Sequence, residues 1–138
     1  MLNQSWIYAI LALLCWGAWG FLPKLAVNAL DPRSVLIFQT VGVTFVGLIL
    51  IALNGFPQWN QQGAIYACLT GIFGILGSLF FLRALSVGKL SLLITFTGLY
   101  PLVSVALAVV VLHETLSMKQ WFACGLAMAS IILFSAEH

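Results

Sequence analysis

The near-absence of charge along this chain constrains its fold more than any other feature. From Ser34 to Leu82 there is no Asp, Glu, Lys or Arg, and Leu90–Leu112 reads LSLLITFTGLYPLVSVALAVVVL without one. Charged residues make up 6% of the 138 residues and hydrophobic ones 63%, whereas a soluble domain carries about 25% charged. A helix rises about 1.5 Å per residue, so a run such as Leu90–Leu112 crosses a hydrocarbon layer of roughly 30 Å. The chain therefore reads as an all-α membrane protein whose partner is the lipid bilayer.

Local signals divide it into five transmembrane helices, expected over about 6–27, 32–53, 63–86, 90–112 and 118–136. Asp31 followed by Pro32 is a helix start, with an N-cap acceptor and a proline whose missing N–H costs nothing in the first turn. Asn54-Gly55-Phe56-Pro57 ends the second span, and the polar link Gln58–Gln62 holds Trp59, a residue suited to the headgroup region. Gly88 and Lys89 make so short a link that the third and fourth spans read as an antiparallel hairpin. Arg83 is expected in the last turn of the third span, where a cation complements the helix dipole. Ser117-Met118-Lys119-Gln120 reads as a capping box opening the last span. Met1–Ser5 carries no Lys or Arg and no small-residue cleavage site follows the first apolar run, so that run is expected to remain as a helix.

Chemistry inside the spans is sparse. Pro101 has no N–H to offer, so the carbonyl of Thr97 is expected to lose its helical partner. Thr97, Tyr100 and Ser104 share a stripe beside this break, which suits a substrate site built on an interrupted membrane helix. The competing explanation is a kink relieved by neighbouring helices, with the hydroxyls bonded back to the backbone. Pro23 repeats the pattern in the first span, beside Lys24, which either snorkels to the interface or faces a cavity. Trp16 and Trp19, three apart, share a face that either stacks on a solute or fills space between helices. Gln39, in the middle of the second span, requires a helix, water or ligand partner. Thr70, Gly74 and Ser78 form a small-residue face that admits another helix closely.

Several function classes fall away. A net charge of +2, scattered along the chain, does not suit nucleic acid. Cys15, Cys68 and Cys124 lie singly in apolar runs, without metal or redox spacing, and read as packing residues. Gly71, Gly74 and Gly77 follow no strand, so they are not a phosphate loop. His113-Glu114 reads as a solvated loop, with metal or proton chemistry as the alternative. No catalytic constellation, metal set or cofactor motif is legible, and an enzyme is not expected.

The stretches FLRALSVGKLSLL and LYPLVSVALAVVVLHETLSMKQW, with the opening WGAWGFLPKLA, resemble an EamA domain of the drug/metabolite transporter superfamily over essentially the whole of residues 1–138. Glu114 matches the acidic residue usual after the fourth helix, Lys24 matches a lysine frequent at the end of the first, and His113 stands where glycine is common. The resemblance implies one half-transporter bundle that carries small molecules without hydrolysing ATP. Larger members hold two such domains as inverted repeats, so a single one implies an antiparallel homodimer or an inverted partner subunit. The expected function is alternating-access transport of a metabolite, amino acid or drug-like solute, with Trp16, Trp19, Lys24, Gln39, Thr97, Tyr100 and Ser104 binding substrate. The alternative is a non-transporting subunit that stabilises another membrane complex. Lys24, Arg33, Arg83 and Lys89 fall on one side of the membrane and Lys119 on the other, which favours a multi-pass cell-membrane protein with its C-terminus in the cytoplasm.

Overall fold

The structure is a computed structural model and describes residues 4–135. It is all helical: α1 (Gln4–Val27), α2 (Pro32–Asn54), α3 (Gln61–Val87), α4 (Leu90–Thr97), α5 (Tyr100–Val111) and α6 (Met118–Ser135). Four segments are long and apolar enough to cross a membrane, namely Gln4–Val27, Pro32–Asn54, Gln61–Val87 and Leu90–Val111. Met118–Phe134 is a shorter apolar helix. The expected end of the last span at Ala136 lies outside the described residues.

The helix starts follow their local chemistry. The Asp31 carboxylate accepts from the backbone N–H of Arg33 (3.0 Å) and of Ser34 (3.2 Å) and from the Ser34 hydroxyl, so the cap of α2 is complete. At α6 the Gln120 side chain accepts from the Ser117 N–H (2.7 Å) while the Ser117 hydroxyl accepts from the Gln120 N–H (3.3 Å), the reciprocal pair of a capping box. The third helix starts at Gln61, two residues before its expected start, because the Asn60 side chain accepts from the Gly63 N–H at 2.8 Å. Gly55, at φ 80°, ends α2 and returns its N–H to the Ile51 carbonyl.

Two findings concern proline and one concerns charge. The fourth span is not one continuous helix, because Gly98 and Leu99 separate α4 from α5. Around the gap the ladder tightens to three-residue spacing, with Leu99 N–H on the Phe96 carbonyl (3.1 Å) and Leu102 N–H on the Leu99 carbonyl (2.8 Å). Pro101 lacks the N–H that would continue the regular ladder, and its ring crowds the preceding turn. Pro23, by contrast, lies buried inside α1 and does not interrupt it. Arg83 is not in the last turn of α3, which extends to Val87.

The chain divides into two compact units, residues 1–87 and 88–138. In the first, α1, α2 and α3 pack pairwise. The buried residues described there are Gly20 and Pro23 of α1, Val35 of α2, and Phe81, Leu82 and Leu85 of α3. They sit where the end of α1, the start of α2 and the end of α3 meet. In the second unit α4 packs on α6. An added Cβ at Gly71, Gly74 or Gly77 meets nothing within 4 Å, so the small-residue face of α3 is open within this chain. Cys15 and Cys68 are exposed rather than packed, and Cys124 is half-buried.

Candidate functional site: an interrupted span and a lysine-capped helix end

The hydroxyls of Thr40, Thr70, Thr95, Thr97 and Ser104 donate to carbonyls of their own helices, which lets them sit in an apolar medium. Thr97 donates to the Leu93 carbonyl at 2.7 Å and lies within 3.3 Å of the Ile94 carbonyl, while Ser104 donates to the Tyr100 carbonyl at 3.4 Å. Both bonds flank the Gly98–Leu99 gap. The Tyr100 ring is exposed, at the first residue of α5. Thr97, Tyr100 and Ser104 thus gather at one interruption, in the second unit. The Thr97 and Ser104 hydroxyl donors are engaged locally, and each oxygen keeps lone pairs that can accept a further bond.

The residues expected on α1 and α2 lie in the first unit. Trp19 stacks on Phe81, ring centroids 6.0 Å apart and planes 16° from parallel. Trp16 is exposed and Gln39 is half-buried. Lys24 donates from Nζ to the Leu85 carbonyl at 2.8 Å. Leu85 is within the last four residues of α3, whose carbonyls have no acceptor role left inside the helix and carry the negative end of its dipole. The cation that completes the end of α3 therefore comes from α1, sixty-one positions away, and not from Arg83.

Sequence reasoning missed Phe81 and Leu85. Phe81 is one of two adjacent phenylalanines in a helix that is apolar all round, so nothing local marks it as the partner of Trp19. Leu85 takes part through its backbone, which no side-chain pattern reveals. His113 has φ 57°, the left-handed conformation at the stop of α5, which explains why glycine suits this position. Among the described residues no group of three His, Cys, Asp or Glu is placed to hold a metal ion.

A multi-pass helical protein with only 6% charged residues and an interrupted span flanked by hydroxyls has the construction of a membrane carrier. Residues 4–136 match the EamA-like transporter family, and the chain belongs to that family. It is a membrane protein of the small-molecule transport class, not an enzyme. It is 26% identical over 137 residues to an uncharacterized protein of Methanocaldococcus jannaschii, the match covering 99% of this chain and 100% of that one. No solved structure matches the chain.

Proposed function

We propose that residues 1–138 act as one EamA-like half-transporter, moving a small solute by alternating access as part of a dimer. The observation that carries this reading is the Gly98–Leu99 interruption in an otherwise uncharged span, flanked by Thr97, Tyr100 and Ser104. Irregular backbone at membrane depth is stable only against protein or a watered cavity, and such places are where carriers bind their solutes. Trp16, Trp19, Lys24 and Gln39, on α1 and α2, are proposed as further solute-binding residues. The second half is an antiparallel copy of the chain or a partner of opposite orientation. The open Gly71–Gly77 face of α3 supports this, because small residues let a second helix approach closely.

The test is solute flux into sealed proteoliposomes across amino acids, organic acids, sugars and cationic dyes. Tyr100→Phe and Thr97→Val are expected to lower flux of the accepted solute while the amount of folded protein stays constant. Flux lost only in step with folded protein would make the interruption a packing feature. Absence of flux for every solute, with a larger membrane protein copurifying, would make the chain a stabilising subunit.

A further inference from the structure

At the Gly98–Leu99 gap backbone acceptors outnumber donors. A regular ladder would give the Thr95 carbonyl the Leu99 N–H and the Gly98 carbonyl the Leu102 N–H. The Leu99 N–H goes instead to the Phe96 carbonyl at 3.1 Å, and the Leu102 N–H to the Leu99 carbonyl at 2.8 Å. The regular donor to the Thr97 carbonyl would come from position 101, a proline without an N–H. The carbonyls of Thr95, Thr97 and Gly98 thus lose their ladder donors together, where α4 presents the negative end of its dipole.

Among the described residues the nearby side chains do not restore the balance. The Thr95 and Thr97 hydroxyls donate backwards, to the Ser91 and Leu93 carbonyls, each at 2.7 Å. Leu90–Leu112 holds no Lys or Arg. Gly98 also keeps the place open, because a Cβ on it would lie 3.2 Å from the carbonyl oxygens of both Ile94 and Thr95. The Ile94 oxygen already accepts the Gly98 N–H at 2.9 Å, so the oxygen that glycine leaves uncovered is that of Thr95. Thr97 and Gly98 are exposed inside a span, where an unanswered carbonyl is costly in lipid.

Neutral oxygens in excess, without a carboxylate, suit a monovalent cation. Carbonyl oxygens replace the hydration shell of such an ion, and the carbonyl ends of broken membrane helices hold one in the same way. Divalent ions call for carboxylates or keep their waters. We propose that the acceptor-rich side of the Gly98–Leu99 interruption is a binding site for a monovalent cationic group, held by the backbone oxygens of Thr95, Thr97 and Gly98. The group is a dehydrated inorganic ion or the ammonium head of the solute, since both take the same acceptors. This rests on the carrier reading above and adds to it the charge of what binds at the interruption.

The test is thermal unfolding of the full chain in detergent at constant ionic strength, with choline chloride replaced stepwise by sodium, potassium or methylammonium chloride. A ligand of the folded state raises the melting temperature with its own concentration dependence. A saturable rise over choline is expected with at least one of these salts. Sodium or potassium marks an inorganic ion, and methylammonium alone marks an ammonium head. Gly98→Ala covers the Thr95 oxygen and Pro101→Ala returns the missing donor. Each should raise the half-saturating concentration by about tenfold, the size expected for one lost contact to a charge. Thr40→Val removes a hydroxyl bonded within α2 and should leave that concentration unchanged. Equal curves in every salt, an undiminished response in either folded variant, or an equal loss in Thr40→Val overturns the site. If Gly98→Ala does not fold, Pro101→Ala decides. No flux is needed: saturable, Gly98-dependent binding in a protein that moves no solute refutes the carrier and leaves the site standing, whereas flux with no cation response does the reverse.

Discussion

His113 holds a left-handed backbone conformation, φ 57°, with the next N–H, that of Glu114, turned back to the Ala108 carbonyl at 3.3 Å. A side chain with a Cβ pays about 1–2 kcal/mol there, while glycine gives up about 0.5–1 kcal/mol in the unfolded chain. His113→Gly is therefore expected to stabilise the protein by roughly 0.5–1 kcal/mol, and His113→Val to destabilise it, read from thermal unfolding in detergent. Asp31 is the other informative residue. The Ser34 hydroxyl, then the backbone N–H groups of Ser34 and Arg33, hold its carboxyl below its ordinary value of 3.8. A depressed folded value means that the cap stabilises above the ordinary value and that this contribution is lost as pH falls through the folded one. The melting temperature of the Asp31 protein should drop on acidification across that window more than that of Asp31→Asn, whose cap does not titrate. Parallel curves would show that the carboxylate contributes nothing.

Among the elements, the divided fourth span and the short α6 have opposite weaknesses. α4 and α5 are separated because Pro101 cannot donate, so Pro101→Ala restores a donor for the Thr97 carbonyl and allows one continuous helix. Higher thermal stability with lower flux is the expected pair of results; unchanged flux would remove the interruption from the mechanism. α6 is held at its start by the reciprocal side-chain bonds of Ser117 and Gln120. Ser117→Ala should cost about 1 kcal/mol, with Ser117→Asp recovering most of it, in the same unfolding measurement. Equal stability of all three would show that α6 is fixed by packing rather than by its cap.

For the whole molecule the open question of mechanism is orientation. Lys24 lies within α1, on the end of α3, and Arg83 lies more than a turn-start inside α3, so neither is a loop charge. That leaves Arg33 and Lys89 against Lys119, a small bias for the positive-inside rule. Insertion mainly with the C-terminus in the cytoplasm, with a measurable inverted fraction, is expected for an antiparallel homodimer. Reporters fused at the C-terminus and active on both sides of the membrane would show it. Asn28→Lys with Ala29→Lys should force one orientation and abolish flux. Flux that survives in a single orientation would rule out the antiparallel homodimer and require an inverted partner subunit.

The sequence by itself determined what is local. Backbone pairing in lipid has to be satisfied within each segment, so uncharged runs such as Ser34–Asn54 could only be spanning helices. Asp31, Gly55 and the Ser117–Gln120 pair fixed their ends through bonds of three or four residues' reach. The weakness at Pro101 was legible for the same reason, whereas the transporter family was carried by resemblance along the whole chain. Tertiary structure alone decided that Pro23 is absorbed into its helix, that Trp19 faces Phe81, and that Lys24 serves the Leu85 carbonyl. Inside a bilayer no water drives apolar faces together, and lipid tails suit an exposed leucine as well as a helix does. Which faces meet is then set by shape and by a few polar bonds between distant segments. Neither leaves a periodic mark in a chain that is apolar all round.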